Sequence, residues 1–178
     1  MILIVDLNYP GSLGYQEFVR PLEDIIGEET DCTVCHYSQV TSIKGYDGVV
    51  LSGTALKDDV YLEKINEFSW LHTCSVPLLG ICAGMQVIGL QFSSLLFFCT
   101  EIGMVEVFPV AENKLIPSPI SAFELHTHGI TLPQQFVTIA CSTSCIQGIK
   151  HREKDMYGIL FHPEVRNQHI IQEFLNLL

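Results

Sequence analysis

The sequence predicts an α/β fold built on a doubly wound, mostly parallel central sheet with antiparallel additions in its C-terminal half. Three observations carry this. Short apolar runs at 2–5, 49–51, 76–79 and 158–161 end in Gly, Ser, Asp or His, as strands buried on both faces do. Between the first of these runs lie segments whose apolar residues recur at three and four. From Glu106 onward the strand-like runs follow one another with turns rather than helices between them.

Taken in order, Ile2 to Val5 is the first strand, and Phe18, Val19, Leu22, Ile25 and Ile26 give a helix that Pro21 either kinks or starts. Cys32 to Cys35 reads as a strand, and Val49 to Leu51 as another. Val60 to Leu71 predicts one helix, with Tyr61, Leu62, Ile65, Phe68 and Leu71 inward and Lys57, Asp58, Asp59, Glu63, Lys64 and Glu67 on the wet side. Val76 to Leu79 is a strand, and Met85 to Phe92 an apolar helix. Glu106 to Val110, Phe136 to Cys141, Ile146 to Lys150 and Tyr157 to Phe161 are the added strands, and Asn167 to Leu178 closes the chain as a helix. The alternation of strand and helix is flavodoxin-like. No repeat or linker divides the chain, so 1–178 is expected to be one domain.

Composition narrows the function. With 48% hydrophobic and 16% charged residues, 178 residues bury a sizeable core. Nine Lys and Arg against 20 Asp and Glu leave a net charge of -11, which repels phosphate backbones and argues against nucleic acid. Twelve of those acids fall in residues 1–67, which marks the first third as the more solvated. Residues 71–100 carry no charge but are broken by His, Pro, Gly, Gln and Ser, so they read as the buried centre and not as a membrane span. Seven cysteines and an Asp at position 6, before any signal-peptide core can form, predict a reduced, cytoplasmic chain.

Two motifs carry chemistry. Gly80-Ile81-Cys82-Ala83-Gly84 lies between an apolar strand and an apolar helix, so Cys82 falls on a sharp strand-to-helix turn. There the unpaired N–H groups of a helix N-terminus favour the thiolate, and the Ala83 N–H faces the space an oxyanion would fill. Taken alone, a cysteine in an apolar segment is more often structural. Phe161-His162-Pro163-Glu164 follows the last strand, and in extended backbone His162 and Glu164 face the same way. Glu164 can then orient the imidazole while His162 takes a thiol proton, against the plainer alternative of a strand-end histidine beside a solvated glutamate. Both motifs stand at carboxyl ends of strands, where open α/β sheets form their crevice.

With these residues in place the chain resembles the class I glutamine amidotransferases, which carry a Gly-Ile-Cys-x-Gly elbow and a distant His-Pro-Glu. The resemblance runs through Leu51-Ser52-Gly53, the segment 80–86, Glu101-Ile102-Gly103, His128-Gly129 before Leu132-Pro133, and Tyr157-Gly158. It implies attack of Cys82 on the side-chain amide of L-glutamine, release of ammonia, and hydrolysis of the thioester with His162 and Glu164. It further implies an oxyanion hole from Gly53, Thr54 and Ala83, and a substrate site at Gln86, Thr127 and His128. No cofactor is expected, and the ammonia would pass to a separate synthase subunit. Two other functions fit: a γ-glutamyl hydrolase using the same three residues, and a non-catalytic partner-binding module.

Three departures from the family pattern stand out. Thr54 replaces the second Gly of the oxyanion loop, a strained choice if that position needs φ > 0. Ala83 and Met85 replace Leu and His of the elbow helix, and Ser93-Ser94-Leu95-Leu96 stands where the family has Gly-Gly. No metal is expected. Cys32 and Cys35 lack a second pair, His126 and His128 alternate as ligands would but His128 and His162 already have roles, and Glu28, Glu29, Asp31, Asp58 and Asp59 read as solvated helix ends. Cys141 and Cys145 flank a turn and read as reduced structural thiols.

Overall fold

Nine strands form one sheet in a computed structural model that describes residues 1–178. They are β1 (Ile2–Asp6), β2 (Cys32–His36), β3 (Gly48–Leu51), β4 (Leu78–Ile81), β5 (Leu96–Pro109), β6 (Ile120–Ile130), β7 (Phe136–Cys141), β8 (Ile146–His151) and β9 (Met156–Ile159), in the order β2-β1-β3-β4-β9-β8-β7-β5-β6. From β2 to β9 the neighbours are parallel, and from β9 to β6 they are antiparallel. Helices α1 (Arg20–Gly27) and α4 (His169–Leu175) cover one face, and α3 (Ala83–Gln91) with a 3-10 helix at Ile65–Thr73 covers the other. No helix is long and apolar enough to cross a membrane.

The two layers explain the unbroken apolar run of β1. Ile2 and Ile4 pack with Leu22, Ile26, Ile170 and Phe174, while Leu3 and Val5 pack with Phe68, Leu71, Val87 and Ile88 on the opposite face. Cys32 and Cys35 of β2 likewise pack against opposite layers, so they share no site. All seven cysteines are free.

Several elements differ from expectation. The helix expected over 60–71 breaks at Lys64 into α2 (Val60–Glu63) and the 3-10 helix. Ile65, Phe68 and Leu71 recur every three residues, which is the period of a 3-10 turn, and Phe68 and Leu71 are fully buried on that stripe. Pro21 is the second residue of α1 and marks its start, after a π-helical turn at Tyr15–Val19. The strand at 157–161, expected as an antiparallel addition, is β9, which pairs parallel with β4 and antiparallel only with β8. β5 begins at Leu96 rather than near Glu106, and β6 was not anticipated. Leu95 and Phe98, taken as part of the buried centre, are 69% and 85% exposed on this β5–β6 arm.

The missing Gly-Gly also has a structural answer. Ser93, at φ 70, takes the left-handed position that ends α3, the Ser94 N–H donates to the Gly89 carbonyl (2.9 Å), and the Ser93 N–H to the Leu90 carbonyl (3.2 Å). This is a Schellman cap in which a serine does the work usually given to glycine.

Candidate active site

The turn between β4 and α3 carries Cys82 at φ 50, ψ -104, a conformation that costs roughly 1–3 kcal/mol for a residue with a side chain. Neighbouring bonds hold it: the Cys82 N–H donates to the Ile159 carbonyl of β9 (2.8 Å), and its carbonyl accepts from Gln86 N–H (3.1 Å). The flanking glycines are required by space. A Cβ on Gly80 would lie 2.6 Å from the Gly84 backbone, and one on Gly84 would lie 2.6 Å from the Leu51 carbonyl oxygen. Strand and helix could not approach this closely with any other residue.

His162 and Glu164 arrive from the end of β9. Both are buried, and His162 Nδ1 lies 2.7 Å from Glu164 Oε1. Because the carboxylate can only accept, Nδ1 carries the proton. The His162 N–H donates to the Phe123 carbonyl (2.9 Å), and the ring lies 5.2 Å from that of Phe18. Its Nε2 has no hydrogen-bond partner. Burial disfavours a charged ring here, yet the neighbouring Cys82 and then Glu164 outweigh it and hold His162 well above its ordinary range.

The loop after β3 closes the site. Gly53 sits where a Cβ would lie 2.6 Å from His162 Cε1, so glycine is needed for space. Its carbonyl accepts from Asn8 Nδ2 (3.2 Å) and Ser52 Oγ (3.0 Å), and Ser52 Oγ also accepts from the Leu7 N–H (3.1 Å), which ties the loop to the end of β1. Thr54 is buried and does not have a positive φ, so the strain that glycine would relieve is absent. Its hydroxyl donates to the Asp58 carbonyl (3.1 Å). Neither the Thr54 N–H nor the Ala83 N–H, which opens α3, is used within the chain.

Thr54, Cys82, Ala83, Gln86, Thr127 and His128 line one cleft of about 450 Å³. His162 and Glu164 stand behind it, and Gly53 lies between His162 and the lining loop. Gln86 is already engaged: its Oε1 accepts from Tyr61 OH (2.6 Å) and its Nε2 donates to the His128 carbonyl (3.0 Å). The Cys82 thiol is 3.8 Å from the Leu125 carbonyl. Thr127 Oγ1 lies 3.0 Å from His128 Nδ1, whose ring lies 4.7 Å from the exposed Phe98 ring.

Asp58, Asp59 and Tyr61 line the same cleft, although the sequence motifs did not single them out as site residues. Asp58 Oδ2 accepts from the Tyr9 N–H (2.6 Å), so this acid closes a loop and is no solvated helix end. Burial raises the Tyr61 hydroxyl far above its ordinary range, keeping it a donor to Gln86. The only signal for Tyr61 was its place on the apolar stripe of 60–71, where a buried phenol needs a partner.

Residues 22–177 match the family model "Glutamine amidotransferase class-I". One component of a two-part, glutamine-hydrolyzing GMP synthase from Thermoplasma acidophilum is 33% identical over 71% of this chain and 68% of the relative. A glutamine-hydrolyzing GMP synthase from Spiroplasma kunkelii is 33% identical over 98% of the chain, which spans only 35% of that relative's length. Among solved structures, a Thermoplasma acidophilum protein described provisionally as a component of GMP synthase superimposes with a TM-score of 0.86 at 27% identity, over 99% of this chain and 94% of the other.

Proposed function

The chain belongs to the class I glutamine amidotransferase family, enzymes with a cysteine nucleophile, and from that premise we propose that residues 1–178 act as one glutaminase unit with Cys82, His162 and Glu164 as its catalytic residues. The Cys82 thiolate attacks the side-chain carbonyl carbon of L-glutamine. The oxyanion forms against the free N–H groups of Thr54 and Ala83. His162, held by Glu164, delivers a proton to the departing nitrogen, the C–N bond breaks, and ammonia leaves a glutamyl thioester. Water, losing a proton to His162, then cleaves the C–S bond to give glutamate and restore the thiolate.

The observation that carries this reading is the convergence on one cleft of a strained cysteine, a buried histidine–glutamate pair and two unused N–H groups from separate loops. Thr127 and His128 line the opposite wall, where they can meet the α-amino and carboxylate ends, and Asp58 and Asp59 add negative charge that suits an ammonium group. Gln86 acts by bracing Tyr61 against the His128 backbone.

We further propose that the ammonia passes to a separate synthase subunit, of the GMP synthase kind for which the relatives are named. Phe98, Ile102 and Met104 form an exposed apolar stripe on β5, and Phe98 meets the His128 ring at the cleft, so a synthase docked on β5 would cover the cleft mouth. Seven free thiols fit a cytoplasmic setting. The test is release of glutamate and ammonia from L-glutamine by the purified chain, both by itself and with its synthase partner, in parallel with Cys82→Ser. Loss in the variant supports the assignment, and equal activity in both would refute it.

A further inference from the structure

Deep to the cleft wall, β5 and β6 gather three side chains to which the glutaminase reaction gives no task. Glu101 and His126 are cross-strand partners, and Glu124 stands two residues before His126 on the same face of β6. A register shift between Phe98 and Glu101 interrupts the ladder beside them, and such bulges re-aim side chains. All three are buried, Glu124 completely. Glu101 Oε2 and Glu124 Oε2 lie 3.3 and 3.2 Å from His126 Nε2.

Proton positions make this arrangement unbalanced. His126 Nδ1 is 2.9 Å from the Cys99 carbonyl, which can only accept, so Nδ1 carries the proton. In a neutral imidazole Nε2 is then a bare lone pair facing two carboxylates. Neither Nε2 nor either oxygen of Glu124 has a hydrogen-bond partner. Lys150 and Arg20 form their ion pairs elsewhere, and the one strong donor to the group is Gln147 Nε2, at 2.6 Å from Glu101 Oε2. Buried carboxylates left in this state are costly unless a cation sits among them.

We propose that Glu101, Glu124 and His126 form a binding site for a first-row divalent cation, with zinc as the best fit. Ligands at ordinary zinc distances in a tetrahedral site stand about 3.4 Å apart, close to the two separations seen here. A backbone carbonyl on the second ring nitrogen is the usual support of a metal-binding histidine. The Cys145 thiol lies 3.5 Å from Glu101 Oε2, and ligand atoms of Cys99, Glu101 and Cys145 fall within 4.8 Å of one another, so a soft ligand is at hand that favours zinc over magnesium or calcium. Sequence spacing suggested a different set, His126 with His128, but His128 is turned to Thr127 and Phe98. A cation here would pin β6 to β5 and fix Leu125, whose carbonyl meets the Cys82 thiol.

The test uses the full chain, stripped with a chelator and dialysed against zinc, with metal content by elemental analysis, affinity by calorimetry and thermal unfolding with and without zinc. One zinc per chain and a zinc-dependent rise in Tm are expected. Glu124→Gln and His126→Asn should each weaken binding at least 10-fold, whereas Cys32→Ser, on β2, should leave it unchanged. Should His126→Asn fail to fold, Glu124→Gln still decides. It replaces an unpaired buried carboxylate with a neutral group of the same shape, so its zinc-free Tm should rise while the zinc-dependent increment disappears. No binding above trace, or unchanged affinity in Glu124→Gln, would overturn the proposal; in the first case a proton balances the cluster, and in the second the thiols hold the metal.

Discussion

Gly53→Ala adds one methyl group at the point where the loop after β3 meets the proposed base. The new Cβ would lie 2.6 Å from His162 Cε1 and 3.2 Å from Nδ1, against ordinary contact near ~3.5–4.0 Å, so about 1 Å of movement is forced. Neither side yields freely. The ring is held by Glu164 and by the backbone bond to Phe123, and the loop by Asn8, Ser52 and Leu7. Overpacking of this kind costs roughly 1–3 kcal/mol, and a 1 Å misplacement of a catalytic group costs about 100-fold in rate. We therefore expect a folded protein whose Tm falls by about 2–12 °C and whose kcat for glutamate release falls by about 100-fold. Gly27→Ala, where a Cβ meets nothing within 4 Å, serves as the control and should keep parental activity. Gly53→Ala within threefold of the parent would show that His162 does not need its observed position.

Three further outcomes follow from the same geometry. Thr54→Gly, which restores the commoner family residue, should not raise activity and should lower stability by about 1 kcal/mol, because Thr54 already has a negative φ and loses its bond to Asp58; a gain in kcat would contradict this. Ser93→Gly should relieve the left-handed strain at the end of α3 and raise Tm by a few degrees, about 1 kcal/mol, in a thermal melt; an unchanged or lower Tm would refute the strain. Glu164→Gln removes a charge-assisted hydrogen bond worth about 1.5–3 kcal/mol, so kcat should drop about 10- to 100-fold, less than in Cys82→Ser; equal losses would argue against a purely orienting glutamate.

A fourth concerns pH. The folded state binds the His162 proton more tightly than the unfolded chain, whose ordinary value is 6.5, so the stability it brings is complete below 6.5 and is lost as pH rises through the higher folded value. Cys82→Ala removes the largest influence that raises it. The ring should then titrate at lower pH by NMR, and the fall in stability above pH 6.5 should flatten; an unmoved titration would break the proposed coupling of thiol and imidazole.

The parallel half of the fold was legible because strands buried on both faces leave short apolar runs, and the elbow because Gly80 and Gly84 bracket a cysteine for steric reasons now visible as 2.6 Å approaches. The β5–β6 arm was not. Its Leu95, Phe97 and Phe98 are apolar yet outward-facing, so they extend the buried segment on paper, and β6 mixes Glu124, His126 and His128 into a strand with little apolar alternation. The candidate site divides the same way. Cys82, His162 and Glu164 stand in local motifs. Tyr61, Asp58 and Asn8 act through partners 25 to 49 residues away, as in Tyr61–Gln86 and Asp58–Tyr9, and no local spacing announces that.

The central claim is that Cys82 is the nucleophile toward a glutamine side chain. It is tested most directly by intact-mass and peptide mass spectrometry after acid quench of the protein with L-glutamine, and with a glutamine analogue bearing an electrophile in place of the amide. One glutamyl-type adduct per chain is expected, on Cys82 alone among the seven free thiols, and absent from Cys82→Ser. An adduct on another cysteine, or an undiminished adduct in Cys82→Ser, would contradict it.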